Sequence, residues 1–286
     1  MFESFPQQNR RDAQLVDFFR RQGVPDSQLI YLKDAQATTR NVKSAFVSFL
    51  SKADEGDLLF VYYTGHGYKS DDGRMTFFAT YDAGDEVSGW STESIVRDIE
   101  RLFKGSRAWL TADCCFSGSL SEQVRRSGQR VSYASLTSSS AGQESTGNWT
   151  FTEMLLAGLS GRAFADLNGD GQITLGELAE DISDDMAFAE RQRSSFVATG
   201  KFSADTVLAQ AERKASPEVS RRVEVKPNSD WYSGWYRARI IDGHDGEFKI
   251  HYFGWEDSDD EWVRPNQIRD PGVPANRRSV TTRVKN

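Results

Sequence analysis

The chain has 286 residues, 38% hydrophobic and 27% charged, enough for one sizeable core and a small accessory domain. Its net charge of −7 falls on the first 216 residues, because 217–286 hold 12 basic and 12 acidic side chains, and neither part is a polycation built to coat nucleic acid. The two cysteines are adjacent, which excludes an ordinary disulfide framework, and no apolar run approaches the ~18 residues of a membrane span.

Residues 8–25 place Leu15, Val16, Phe18 and Phe19 among arginines, which predicts a helix ended by Gly23 and Pro25. Leu29–Leu32 predicts a short strand, and Thr38-Thr39 cap a helix with Val42, Phe46 and Leu50 at helical spacing. The run Leu58–Tyr63 predicts a buried strand, followed at once by Thr64-Gly65-His66-Gly67. Met75–Thr80 predicts another strand, and 91–103 a helix with Ile95, Ile99 and Leu102. Ala108–Ala112 is a second buried strand, followed by Asp113-Cys114-Cys115-Phe116-Ser117-Gly118. Residues 119–130, with Arg125, Arg126 and Arg130 around Gly128, read as a flexible basic loop. A strand at 131–136, a helix at 149–158, an acidic glycine-rich loop, another helix and a last strand region at 194–209 complete the first domain, 1–210. A charged linker at 211–220, an all-β unit at 221–270 and a basic tail at 271–286 (Arg277, Arg278, Arg283, Lys285) follow. Strands alternating with helices predict an α/β fold whose mostly parallel sheet is flanked by helices. Reactive groups in such sheets gather beyond the carboxyl ends of the strands, where His66 and Cys115 both fall.

A thiol becomes a strong nucleophile only when a base takes its proton or a cation stabilises the thiolate. His66 and Cys115, each just past a buried strand, are 49 residues apart in the sequence. That interval is close to the ~50 residues between the histidine and cysteine of caspase-type proteases. Tyr63-Thr64-Gly65-His66-Gly67 and Asp113-Cys114-Cys115-Phe116-Ser117-Gly118 resemble the histidine and Asp-x-Cys-x-Ser-Gly motifs of caspase-like peptidases, most closely the metacaspase and orthocaspase branch. The resemblance spans roughly residues 8–210. It implies a cysteine endopeptidase with Cys115 as nucleophile and His66 as general acid/base, the backbone N–H groups of Gly67 and Cys115 holding the oxyanion. Cys114 is expected to point back into the sheet, since neighbouring strand residues face opposite sides. Asp113 falls where metacaspase-like enzymes carry an acid of the S1 pocket, implying protein or peptide substrates cut after Arg or Lys. Arg125, Arg126 and Arg130 then become candidate self-processing sites.

The family opens with an apolar strand in the middle of the sheet, whereas residues 1–7 are too few and too polar to supply one; either that strand lies upstream of Met1 or another segment fills its slot, and a sheet lacking it would expose unpaired backbone groups. Met1-Phe2-Glu3-Ser4-Phe5 lacks the basic flank and apolar stretch of a secretory signal, so the expected setting is the cytoplasm, away from membranes, as a monomer rather than an obligate dimer.

Asp166–Glu177 matches a twelve-residue EF-hand loop. Its oxygen donors are Asp166, Asn168, Asp170 and Thr174, the Gln172 carbonyl and Glu177, with Gly171 at the sharp turn, a set suited to Ca²⁺. Residues 221–269 resemble the Tudor-knot and chromo-barrel group through His251-Tyr252-Phe253-Gly254-Trp255 and Asp260-Glu261-Trp262-Val263, which implies a small all-β barrel. Tyr236, Tyr252 and Trp255 fall on three cage positions and Asp259 on the fourth, implying a modified peptide or RNA as ligand. A competing reading is a calcium-responsive binding protein or scaffold acting through this module.

Overall fold

The computed structural model describes residues 10–84, 89–128, 130–212, 218–229 and 233–272. Residues 1–7, the centre of the linker and the basic tail from 273 lie outside that set. The chain divides into two compact units, Met1–Ala215 and Ser216–Asn286.

In the first unit, helix α1 (Asp12–Arg21) buries Leu15 and Phe18. Helix α2 (Thr39–Lys52) is capped by Thr38, whose hydroxyl accepts the Asn41 N–H at 3.3 Å, and buries Phe46 and Leu50. Strand β1 (Leu58–Thr64) leads into a small antiparallel sheet of β2 (Gly67–Lys69), β3 (Thr76–Phe78) and β4 (Trp90–Ser91). Ser91 caps helix α3 (Thr92–Leu102), which buries Ile95, Val96 and Ile99. Strand β5 (Arg107–Asp113), helix α4 (Gly118–Arg126), strand β6 (Ser132–Thr137) and helix α5 (Thr150–Leu159) follow. After them come β7 (Gln172–Thr174), α6 (Leu175–Asp185), a π-helical turn Met186–Glu190, β8 (Ser195–Ala198) and β9 (Val207–Gln210).

The main sheet has the order β1-β5-β6-β8. β1, β5 and β6 are parallel and β8 is antiparallel to β6. Leu50, Ile95, Ile99 and Leu120 of the helices pack with Leu59, Leu110 and Tyr133 of the sheet, all buried, as a βαβ arrangement requires. β1 stands at the end of this order, with β5 as its one ladder partner among the described residues. Leu29–Leu32, expected as a strand, is extended at Leu29 (φ −120°, ψ 127°) but joins no ladder; without a neighbouring edge to pair with, extended backbone is not a strand.

Residues 119–126 of the expected loop are helical instead. α4 occupies Gly118–Arg126, because Leu120 and Val124 give it a buried stripe that outweighs its polar composition. No helix among the described residues is long and apolar enough to cross a membrane.

The second unit contains β10 (Arg222–Val225), β11 (Tyr236–His244), β12 (Glu247–Tyr252), β13 (Glu261–Val263) and β14 (Ile268–Arg269). They form one antiparallel sheet of order β13-β12-β11-β10-β14. The expected all-β barrel is therefore wrong, and with it the Tudor-knot and chromo-barrel resemblance. Closure needs a ladder between the two end strands, but β13 pairs with β12 and β14 with β10. Those end strands are three and two residues long, and the 3₁₀ turn Pro265–Gln267 lies between them.

Candidate active site

β1 and β5 run parallel in an unbroken register that ends with Thr64 opposite Asp113. His66 and Cys115 each come two residues after that last pair, so the topology delivers both to the same carboxyl-end rim. The backbone at His66 is fixed from two sides. Its carbonyl accepts the Ala79 N–H and the Tyr63 hydroxyl, both at 2.8 Å, and the same hydroxyl reaches the Ala79 carbonyl at 2.8 Å. Gly65 has φ +154°, and a Cβ there would strike the Tyr63 hydroxyl, so glycine is needed to turn the chain off the strand.

Cys114 and Cys115 are both free thiols with opposite surroundings. Cys114 is buried in the main core, and burial pushes its thiol pKa up. Cys115 is partly exposed, and its sulfur accepts the Ser145 N–H at 3.1 Å. The Cys115 N–H itself has no partner among the described residues. The next residue, Phe116, holds φ +56°, rarely adopted by a side chain of that size, and is pinned by its N–H to the Gln143 carbonyl at 2.8 Å.

Asp113 is buried between β1 and α5. Thr152 donates to its Oδ2 at 2.7 Å, so the Tyr62 hydroxyl, 2.8 Å from Thr152 Oγ1, must be the donor in that second bond. The Asp113 pKa is raised to about 6, chiefly by burial and also by the carboxylates of Glu190 and Glu153, against the pull of the Thr152 and Ser138 hydroxyls. A cleft opens beside it, walled by Thr64, Gly65, Thr146, Gly147, Asn148 and Trp149. No basic side chain pairs with Asp113 among the described residues.

Several residues of this site carried no motif. Ser138 accepts the Cys114 N–H at 3.1 Å, and Ser139 donates to the Cys114 carbonyl at 2.8 Å. Their signal is position: Thr137-Ser138-Ser139-Ser140 follows the third parallel strand, whose Thr137 is in register with Ala112. Ser145, in a loop, and Glu190, at the end of the π-helical turn, have no such cue in the sequence.

The processing candidates are placed unequally. Arg125 and Arg126 are exposed in the last turn of α4. Arg130 instead donates to the carbonyls of Glu100, Ile99 and Phe103, closing the end of α3.

Residues 166–177 form a tight loop. Asp166 is buried and accepts the N–H groups of Gly169 and Gly171, at 2.8 and 2.9 Å. Asn168 and Asp170 accept from Asp170 and Gln172, both at 2.8 Å. Glu177 accepts the Asn168 N–H at 3.1 Å and closes a capping box with Thr174 at the head of α6. Gly171 has φ +90°. The donor types and the turn suit a hard cation, but among the described residues three or more carboxylate, thiol or imidazole groups do not converge anywhere as a metal site.

In the second unit, Tyr236, Tyr252 and Trp255 pack on one another with ring centroids 4.9 to 6.5 Å apart. Tyr252 is buried with its hydroxyl on Glu261, and Asp259 is turned into the 256–259 turn, accepting the Glu256 N–H at 3.1 Å. These rings are core of an open sheet.

Residues 20–123 match the family described as metacaspase, peptidase C14 domain. The N-terminal region is a caspase-like cysteine peptidase domain. The match takes in β1, β5 and the rim between them, and the enzyme is accordingly a hydrolase of the cysteine peptidase class. No curated protein matches the sequence. Among solved structures, a structural-genomics target from Geobacter sulfurreducens is 13% identical; the alignment covers 71% of this chain and 87% of that one, with a TM-score of 0.47.

Proposed function

We propose that this peptidase cleaves peptide bonds after arginine or lysine, using Cys115 and His66. The observation that carries the reading is the in-register ending of β1 and β5. It brings His66, Cys115, the free Cys115 N–H and the buried Asp113 to one rim beside an open cleft. Cys115 gives its proton to His66 and its sulfur attacks the scissile carbonyl. The oxyanion is received by the N–H groups of Cys115 and Gly67. His66 returns the proton to the leaving amine, and water then hydrolyses the thioester by the same route in reverse. Asp113, without a cation of its own, pairs with the basic side chain of the substrate.

Two further parts belong to this proposal. The loop 166–177 takes up Ca²⁺ through Asp166, Asn168, Asp170, Thr174, the Gln172 carbonyl and Glu177, supported by donor spacing and the Gly171 turn. Self-processing falls at Arg125 or Arg126 after local opening of the last turn of α4, whereas Arg130 is held by three carbonyls. A reducing compartment would keep both thiols free.

The test is hydrolysis of a peptidyl-arginine amide by purified variants. Cys115→Ala should abolish it while Cys114→Ala leaves most of it. The reverse pattern sinks the assignment.

A further inference from the structure

Glu190 ends the π-helical turn Met186–Glu190, immediately before Arg191, which adopts left-handed backbone at φ 58°. Its carboxylate reaches back to the wall of the Asp113 cleft. Oε2 accepts from Thr146 Oγ1 at 2.8 Å and Asn148 Nδ2 at 3.0 Å, and Oε1 from Thr150 Oγ1 at 2.5 Å. Thr146 and Asn148 line the cleft. All three donors are neutral, and Glu190 has no ion-pair partner among the described residues. Glu153, the other carboxylate near Asp113, differs: Arg11 neutralises it at 2.9 Å. One uncompensated negative charge therefore stands directly behind the wall of a cleft whose floor is a second carboxylate. π-helical insertions often mark functional positions, and here the insertion sets where Glu190 points.

We propose that Glu190 is a specificity-determining positioning residue: its charge, held behind Thr146 and Asn148, adds to Asp113 in selecting a cationic substrate side chain. This rests on the reading that the cleft takes a basic residue. Glu190 does not touch the substrate. It acts through the field it sets across a thin wall and through the placement of the two side chains it holds.

A substrate pair separates charge from shape. Peptidyl-arginine and peptidyl-citrulline amides have nearly the same size, but only the first is cationic. Glu190→Gln keeps an acceptor oxygen for the wall and removes the charge. It should lower kcat/KM for the arginine substrate about tenfold, mostly through KM, and change the citrulline substrate less than about twofold. Glu190→Asp should recover most of the arginine preference. An equal fall for both substrates in Glu190→Gln makes the residue a structural tether and overturns the proposal. An unchanged arginine preference in Glu190→Gln, with the preference lost in Asp113→Asn, also overturns it and leaves the basic-substrate reading intact. A wild-type enzyme without arginine preference overturns that reading itself.

Discussion

Gly67 lies so close to Cys115 that no side chain fits between them. A Cβ on Gly67 would run into the Cys115 carbonyl oxygen and sit 3.3 Å from the Cys114 sulfur. The residue after the histidine and the nucleophile are thus packed backbone to backbone, which fixes how far apart the two motifs can stand. Gly67→Ala should cost about 2 kcal/mol or more of stability, because the atoms a Cβ would strike are backbone that can yield only by moving the rim. Peptidase activity should fall by more than about tenfold even below the melting transition. Thermal melting with kcat/KM on the same preparation checks both, and wild-type values for Gly67→Ala would show the rim to be slack.

The arginine preference should be pH-dependent through Asp113, whose pKa burial raises to about 6. Below that value the carboxyl is neutral and no longer attracts a guanidinium. The ratio of kcat/KM for arginine over citrulline substrates should therefore fall as pH drops through about 6. Taking the ratio cancels every pH effect that both substrates share. A ratio that is flat from pH 5 to pH 8 would argue against Asp113 as the recognising acid.

The same shift predicts a stability effect of definite sign. The Asp113 carboxyl ionises near 3.8 in the unfolded chain and near 6 in the fold. Between those values the folded protein keeps a proton that the unfolded chain has released. The favourable contribution is thus fully present below about 4 and is lost as pH rises through 6. Asp113→Asn should accordingly be more stable than wild type at pH 7, by on the order of 2 kcal/mol, with the gain shrinking toward pH 4. Denaturant melts at the two pH values test it; a destabilised variant at pH 7 would contradict the burial argument.

Calcium should raise the melting temperature of the wild-type chain, by about 2.7 kcal/mol in stability at a hundredfold excess over Kd. Glu177→Gln keeps an acceptor for the Thr174 N–H that caps α6, so its calcium-free melt should stay near wild type, but the calcium-dependent rise should vanish. An identical rise in wild type and variant would remove Glu177 from the binding set. Peptidase activity with and without chelator then tells whether bound calcium controls cleavage.

How much of this was legible in the sequence depended on whether local pattern or distant partners decided each element. The buried runs at Leu58–Tyr63 and Ala108–Ala112 are apolar enough to demand the sheet interior, and the motifs after them locate the rim. Leu29–Leu32 has equally good strand composition, but a strand exists only with a partner edge, and that depends on residues elsewhere. α4 was missed because Arg125, Arg126 and the serines dominate its composition, while the two residues that make it helical, Leu120 and Val124, are few. In the second unit, alternation marks the short strands, yet whether a sheet closes is set by its end strands, here only two and three residues long. Glu190 was invisible for a similar reason: its importance comes from a turn that carries it across to Thr146 and Asn148.

The most direct measurement is the intact mass of the enzyme after incubation with a peptidyl-arginine chloromethyl ketone, followed by mapping of the adduct. One equivalent should attach, on Cys115, in wild type and in Cys114→Ala, with none in Cys115→Ala. Labelling on Cys114, or labelling that survives Cys115→Ala, would contradict the claim that the rim between β1 and β5 is the catalytic centre.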